Sequence, residues 1–465
     1  MTLSSLANQT NPVDISHADE AIAEGERRNP VTMGLLWITM VTFFPGVLQG
    51  FIWFKEGLSF MQVVGFAVLS CLLMLAYAIP ACHIGARSGW SYGGLIRSVF
   101  GRSGNKIVAC NLVFMFIAWY GLCSLFLAEN LHGLFHFDLS LTVLAPALAI
   151  VMAFNNFWGF KGVANFARFF AAPLLIFWVG YTFFKTIQTV PMSVLTEPGT
   201  CTGLAAFAMV ANFIIGVSVW GNEADYWRYG RNRVSATLLP VAFALTIGQI
   251  IFPTTGWLVG RMTGITDYAG ATAFMNDYSF GGIAILGALV LSASYFAAND
   301  SNLYGSTNAL NHLVKLPHRK AVTLLTVLGA LVAVVLSGTG CAGALEKVAS
   351  LNCVLLAVPT VIIIAEYFIV RKLYRQHSDF SKQPRDEELP AFSRAAVSAL
   401  LAGCLVGVAT AGVIPGLESW HQGICSIQGW ACAIAVYTFM RGREIRERSY
   451  IKVDSDRSAE ELVRR

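Results

Sequence analysis

Charge is what this 465-residue sequence has least of. Asp, Glu, Lys and Arg make up 13% of it, where soluble domains carry about 25%. That scarcity excludes the two or three soluble domains that the length alone would suggest. The ten cysteines form no CxxC pair and no metal-ligand spacing. Most, such as Cys71, Cys110, Cys123 and Cys432, sit inside apolar runs as small packing residues. Cys201 and Cys341 fall in predicted outer loops, and whether they pair is left open. There is no HExxH, no GxSxG and no paired-aspartate motif, so no enzyme chemistry is indicated. No ring-forming pore motif points to a channel. The first thirty residues lack the apolar core and small-residue cleavage site of a signal peptide, which makes the first apolar span its own insertion signal. The net charge of +5 describes no nucleic-acid surface, because the basic residues lie between apolar spans and form no patch.

What is abundant is hydrophobic: 55% of residues, with 32 Phe and 42 Gly, and a mean hydropathy of +0.60. Small residues let membrane helices pack closely. A helix needs roughly 20 apolar residues to cross about 30 Å of hydrocarbon. Such stretches fall at 31–54, 60–83, 107–130, 139–158, 165–188, 203–226, 235–260, 281–304, 320–338, 348–370, 393–414 and 425–441. They predict an all-α polytopic membrane protein with twelve transmembrane helices. With the N-terminus inside, every Lys and Arg lies on an inner segment except Lys55, Lys185, Arg261 and Lys347. A missed or false helix would invert every later loop and destroy that asymmetry, so both termini are expected in the cytoplasm of an inner (plasma) membrane protein. The charged linker 373–392, with Pro384 and Pro390, separates a ten-helix core at 31–372 from two appended helices at 393–441. Cytoplasmic tails are expected at 1–30 and 442–465.

Two spans carry breaks in matching positions. The first contains Phe44-Pro45-Gly46-Val47-Leu48-Gln49-Gly50, and the sixth contains Gly216-Val217-Ser218-Val219-Trp220-Gly221. Five helices apart, the two run in opposite directions, which is an inverted-repeat relation between 31–188 and 203–372. Unwound backbone needs a polar cavity or an ion, since lipid satisfies neither N–H nor C=O. The alternative is that these glycines serve close packing.

Ionisable groups at membrane depth cost roughly 2.5–3.5 kcal/mol on insertion scales. The sixth span ends with Asn222-Glu223-Ala224-Asp225-Tyr226-Trp227-Arg228. Asp225 and Arg228, one turn apart, are placed to pair, either anchoring the helix end or forming an inner gate. The eighth places Asn299, Asp300 and Asn302 on one turn facing the core. Glu366, Glu129 and His83 read as interfacial. Trp119, in Ala118-Trp119-Tyr120-Gly121, lies mid-span rather than in an interfacial belt. It can stack on a flat ring or simply pack the core.

These residues resemble the nucleobase–cation symporter family of cytosine permeases, purine permeases and hydantoin and allantoin transporters. The likeness runs from about residue 31 to 440. It rests on Asn222-x-x-Asp225-Tyr226-x-Arg228-Tyr229-x-Arg231, Asn299-Asp300-x-x-Leu303-Tyr304-x-Ser306, Ile84-Gly85-Ala86-Arg87-Ser88-Gly89, Trp119-Tyr120-Gly121 and Ala365-Glu366-Tyr367. The resemblance implies a LeuT-type five-plus-five inverted repeat working by alternating access. It implies a secondary active symporter that imports a nucleobase or related planar nitrogen heterocycle, such as cytosine or a purine. A transporter of the same fold for another small solute, such as an amino acid or vitamin precursor, is the alternative.

The implied substrate site comprises Gly46, Gln49, Trp119, Cys123, Gly216, Trp220 and Ser294, with Trp119 as the stacking platform. Relatives carry a Gln beside this Trp, where Phe116 and Cys123 are the candidate positions here, and Gln49 is the nearby alternative. Some relatives stack an aromatic at the position of Gly216, and Trp220 lies one turn on. The residue aligned with a base-reading Asn is Ser294. Glu223, Asp225, Arg228, Ala297, Ala298, Asn299 and Asp300 are the cation-coupling or gating candidates. Sodium-coupled relatives use hydroxyls where Ala297 and Ala298 stand, and a hard cation wants several oxygens. The coupling cation is therefore expected to be H+ rather than Na+, with Asp300 or Glu223 as carrier. No cofactor, no bound metal, no nucleic acid and no obligate protein partner is indicated.

Overall fold

An apolar run in lipid satisfies its backbone only within its own helix, and the chain is built accordingly. The structure, a computed structural model, describes residues 21–136, 138–265, 268–338, 345–375 and 384–463. Among them are helices and turns and no β-strand. The main helices are α1 (Pro30–Val41), α2 (Phe44–Lys55), α3 (Phe60–Ser88), α4 (Tyr92–Phe100), α5 (Gly104–Phe135) and α6 (Leu141–Thr189). They continue with α7 (Gly203–Ser218), α8 (Glu223–Trp227), α9 (Val234–Thr263), α10 (Tyr268–Phe280) and α11 (Ala284–Asn311). The chain ends with α12 (His318–Ser337), α13 (Val348–Leu373), α14 (Arg394–Thr410) and α15 (Cys425–Val463).

Six of these, α3, α5, α6, α9, α12 and α13, are long and apolar enough to cross a membrane. Two further candidates are bent pairs: α1 and α2 meet at 50°, and α10 and α11 at 113°. At 49 residues, α6 is more than twice the length one crossing takes. A 3-10 turn at Phe154–Trp158 divides it where the sequence ends its fourth span. The α10 helix and the short α4 lie in segments read as loops. Their mixed polar and apolar residues gave no 20-residue run to detect. Cys201 is a free thiol, and Cys341, whose pairing with it was left open, lies outside the described residues.

The surface is inverted relative to a soluble protein. Phe114, Phe177, Phe184, Leu405 and Phe439 are each at least 65% exposed, while Asn222, Glu223, Asn299 and Asp300 are wholly buried. Soluble folds do the opposite, and a chain solvated by lipid is expected to look like this. The helix ends carrying Arg27, Arg97, Arg228 and Arg231 form the basic side of the molecule.

Close helix approach fixes the geometry around the breaks. A Cβ on Gly216 would collide with the Ala349 carbonyl, so α7 and α13 touch backbone to backbone. Gly221, just beyond α7, has φ +77°, a left-handed conformation that suits glycine, and a side chain there would strike the Leu356 carbonyl.

Candidate functional site

Each broken helix frees backbone groups, and their partners can be named. At the first break, α1 ends at Val41 and α2 begins at Phe44, with Pro45 in its first turn, where a missing N–H costs nothing. The freed Val41 carbonyl accepts from the Gln249 side-chain amide. Gln249 is offered by a π-helical turn of α9, Thr246–Ile251.

At the second break, between α7 and α8, three side chains from two elements, α8 and α13, complete the backbone. Glu223 Oε1 accepts from the Trp220 and Gly221 N–H groups at 3.0 and 3.1 Å. Asn352 Nδ2, from α13, donates to the carbonyls of Gly216 (2.6 Å) and Val219 (3.0 Å). The Thr360 hydroxyl bridges the Gly221 carbonyl and the Tyr92 hydroxyl. The Glu223 carboxyl also receives the Tyr77 hydroxyl at 3.0 Å.

Between the breaks lies a cavity of about 40 Å³. Its aromatic walls are Phe43, Phe116, Trp119 and Trp220. Trp220 stacks on Phe116 (centroids 5.9 Å, 29°), and Trp119 meets Phe43 edge-on (6.4 Å, 81°). Met40, Cys123, Val219, Ala298 and Leu356 add apolar and thiol surface, and Asn302 and Asn352 are the two amides. Asn352 Oδ1 accepts the Trp119 indole N–H at 2.9 Å. One side chain thus ties the mid-span tryptophan of α5 to the broken end of α7. Asn302 Nδ2 donates to Asn299 Oδ1 at 3.2 Å, and Asn299 in turn donates to the Tyr120 carbonyl and Ser124 Oγ at 3.0 Å. Among the described residues Asn302 Oδ1 accepts no hydrogen bond, which leaves the cavity one open acceptor.

Of the residues singled out from sequence, the structure brings Trp119, Cys123, Trp220 and Ala298 onto the cavity wall. Gly216 reaches it only through the carbonyl bonded to Asn352. Gly46, Gln49 and Ser294 are not among its lining residues. Gln49 Nε2 and Ser294 Oγ are nevertheless buried without a hydrogen-bond partner among the described residues. Glu223 sits at the break as described. Asp225 accepts from the Tyr92 N–H (2.8 Å) and from Asn222 Nδ2 (3.2 Å). Arg228 lies over the Tyr229 ring at 5.1 Å. Asp300 faces the turn inside α6, where Asn155 and Asn156 donate to its carboxyl at 2.8 and 3.2 Å. Ala297 packs with Ala171 and Ala293 in an apolar cluster. Asn352, Gln249 and Thr360 were missed by the sequence reading; each is a lone polar residue in an apolar run, distinguishable from a packing residue only by what lies opposite.

On the basic side the cavity is covered by packed layers. The Tyr226 hydroxyl donates to the Ser301 carbonyl at 2.7 Å, and Phe160 stacks on Tyr229 at 3.9 Å and 6°. The segment before α1 lies across this end. The Arg28 N–H donates to the Tyr229 carbonyl at 2.6 Å, and Ile22 N–H to the Gly89 carbonyl at 2.9 Å. Burial lowers the Arg27 guanidinium from its ordinary value.

A multi-pass helical chain whose interrupted helices surround a small central chamber is a membrane transporter, not an enzyme. It belongs to the family of permeases for cytosine/purines, uracil, thiamine and allantoin, whose family model matches residues 24–423. The fold is that of Mhp1, a nucleobase-cation-symport-1 family transporter. Against its closed conformation with bromovinylhydantoin bound, the TM-score is 0.72 at 16% identity, covering 92% of this chain and 95% of that one. Against inward-facing Mhp1 it is 0.68 at 16% identity, covering 92% of each chain. A Na+-coupled sialic acid symporter in a substrate-bound outward-open state gives 0.62 at 12% identity over 91% of each chain. Among curated proteins no relative matches.

Proposed function

We propose that this permease is a cation-coupled symporter importing a nucleobase or related planar nitrogen heterocycle by alternating access. The observation that carries the reading is the aromatic chamber between the two breaks, which Trp119 and Trp220 line and where Asn302 has an unused carbonyl oxygen. A ring N–H donates to that oxygen, and the ring stacks on the Trp119 indole, which Asn352 holds in place. A site built to pair a polar group rejects analogues that lack it, so discrimination among heterocycles comes from Asn302 more than from the aromatic walls.

The same reading assigns twelve crossings arranged as two inverted five-helix sets, 31–188 and 203–372, plus an appended pair at 393–441 behind the linker 373–392. It places the basic side in the cytoplasm of the inner membrane, with tails 1–30 and 442–465 there. Protons drive uptake: Ala297 and Ala298 present no oxygen to a sodium ion, and the Ala297 methyl is packed against Ala171. Asp300 and Glu223, both wholly buried, are the carboxyls proposed as carriers.

Uptake of radiolabelled cytosine, uracil, hypoxanthine, allantoin and hydroxymethylpyrimidine in a permease-deficient strain tests this, with proton and sodium gradients imposed separately. Saturable uptake of at least one ring is expected. Competition by amino acids in place of heterocycles would transfer the site to another solute class, and strict sodium dependence would remove the proton assignment.

A further inference from the structure

A second site lies on the lipid-facing surface, away from the chamber. Helices α1 and α9 start at the same end of the molecule, where Gly34 approaches Pro240 closely enough that a Cβ would sit 3.2 Å from its ring. Outside that contact runs a groove of about 590 Å³. Its walls are apolar and open: Val31 is 67% exposed, Leu239 67% and Phe243 57%. Its mouth is lined by Arg231 and Arg233. Both are exposed, and neither side chain has an ion-pair or hydrogen-bond partner among the described residues.

Three features specify the occupant. Arg233 immediately precedes the first residue of α9, Val234, and Arg231 lies two residues before Arg233, so both stand at the level where hydrocarbon gives way to headgroups. From Arg233 to Phe243 the helix rises about 15 Å, which is one leaflet, half of a hydrocarbon core of about 30 Å. Two unpaired guanidiniums at the mouth call for an anion, and guanidinium matches phosphate oxygens two at a time.

We propose that this groove binds one anionic phospholipid, its phosphate held by Arg231 and Arg233 and an acyl chain lying along Val31, Leu35, Leu239 and Phe243. Basic pockets between membrane helices recognise anionic headgroups in this way. The groove flanks α1, the half-helix that leads into the first break, so the lipid bears on that segment.

The test is native mass spectrometry of the full chain in neutral detergent, with dioleoyl phosphatidylglycerol, dioleoyl phosphatidylcholine or glycerol 3-phosphate added. The expected result is one phosphatidylglycerol adduct that resists removal and is favoured over phosphatidylcholine. In R231Q/R233Q the adduct falls by roughly tenfold or more, while R231K/R233K retains most of it. Leu239→Trp fills the groove with the charges unchanged and also loses the adduct, which separates lipid seating from a general basic-surface effect. Size-exclusion profiles report folding of each variant. Equal retention of phosphatidylcholine, an undiminished adduct in R231Q/R233Q, or full competition by glycerol 3-phosphate alone would overturn the proposal. So would a dimer in place of the lipid adduct, which would assign the groove to a second copy of the chain.

Discussion

The two helix breaks solve one problem with unequal means. The α1/α2 break has a proline that surrenders no needed N–H and a single amide, Gln249, for the Val41 carbonyl. The α7/α8 break has a buried carboxyl, an amide and a hydroxyl, drawn from α8 and α13 and serving two N–H groups and three carbonyls. The lesson is that the first break is lightly held and the second is clamped. A hinge that must change its angle is better placed where few bonds need remaking. The second break is tied through Asn352 to Trp119, and on the proposed function it is the fixed frame.

The largest effect should come from the clamp. Glu223→Ala strips an acceptor from two backbone N–H groups and the Tyr77 hydroxyl, a loss of about 3 kcal/mol or more. Glu223→Gln keeps one acceptor oxygen and loses less. Thermal unfolding in detergent measures both, and an unchanged melting point in Glu223→Ala would dismiss the clamp. Next comes the platform. Trp119→Ala should weaken heterocycle binding by about 1–3 kcal/mol, the worth of a base–aromatic stack, with expression intact; isothermal titration against the transported ring reads it directly.

Removing one amide from each break then sets them side by side. Asn352→Ala and Gln249→Ala should each cost about 1–3 kcal/mol of stability for stranded carbonyls, but only Asn352→Ala should also lower substrate affinity, because the indole loses its partner. Equal affinity losses in both would erase the distinction between frame and hinge. The smallest effect concerns the ion. Ala297→Ser with Ala298→Thr adds one hydroxyl on the chamber wall and one beside Ala171, and if uptake is proton-driven as proposed it should gain a modest stimulation by sodium.

Part of this arrangement was legible in the sequence because its signals are local. Pro45-Gly46 is a helix breaker whatever surrounds it, and Gly216 and Gly221 flag a second interruption. The 20-residue apolar runs, with all but four Lys and Arg falling on alternate segments, foretold a polytopic chain. Trp119 was conspicuous for standing mid-span. What closes the breaks was not legible, because Gln249 reaches residue 41 and Asn352 reaches residues 119, 216 and 219. Nothing near either amide distinguishes it from an amide packed between helices. The surroundings of Asp300 were hidden as well. Beside Asn299 and Asn302 it looks like a cavity residue, yet one step along the helix turns it to Asn155 and Asn156. The 113° corner between α10 and α11 was hidden too, since residues 268–280 are too short and too polar to register as a span.

The chamber's size has a mechanical consequence. At about 40 Å³ it has room for a few water molecules and not for a nucleobase, so no cargo enters without displacing a wall. Trp119, Asn352 and the end of α7 are joined by three hydrogen bonds, whereas Phe43 and Met40 ride on the loosely capped first break. On the proposed function, admission works like a drawer sliding against a fixed cabinet: the half-helix side yields, and the indole side keeps its place to receive the ring.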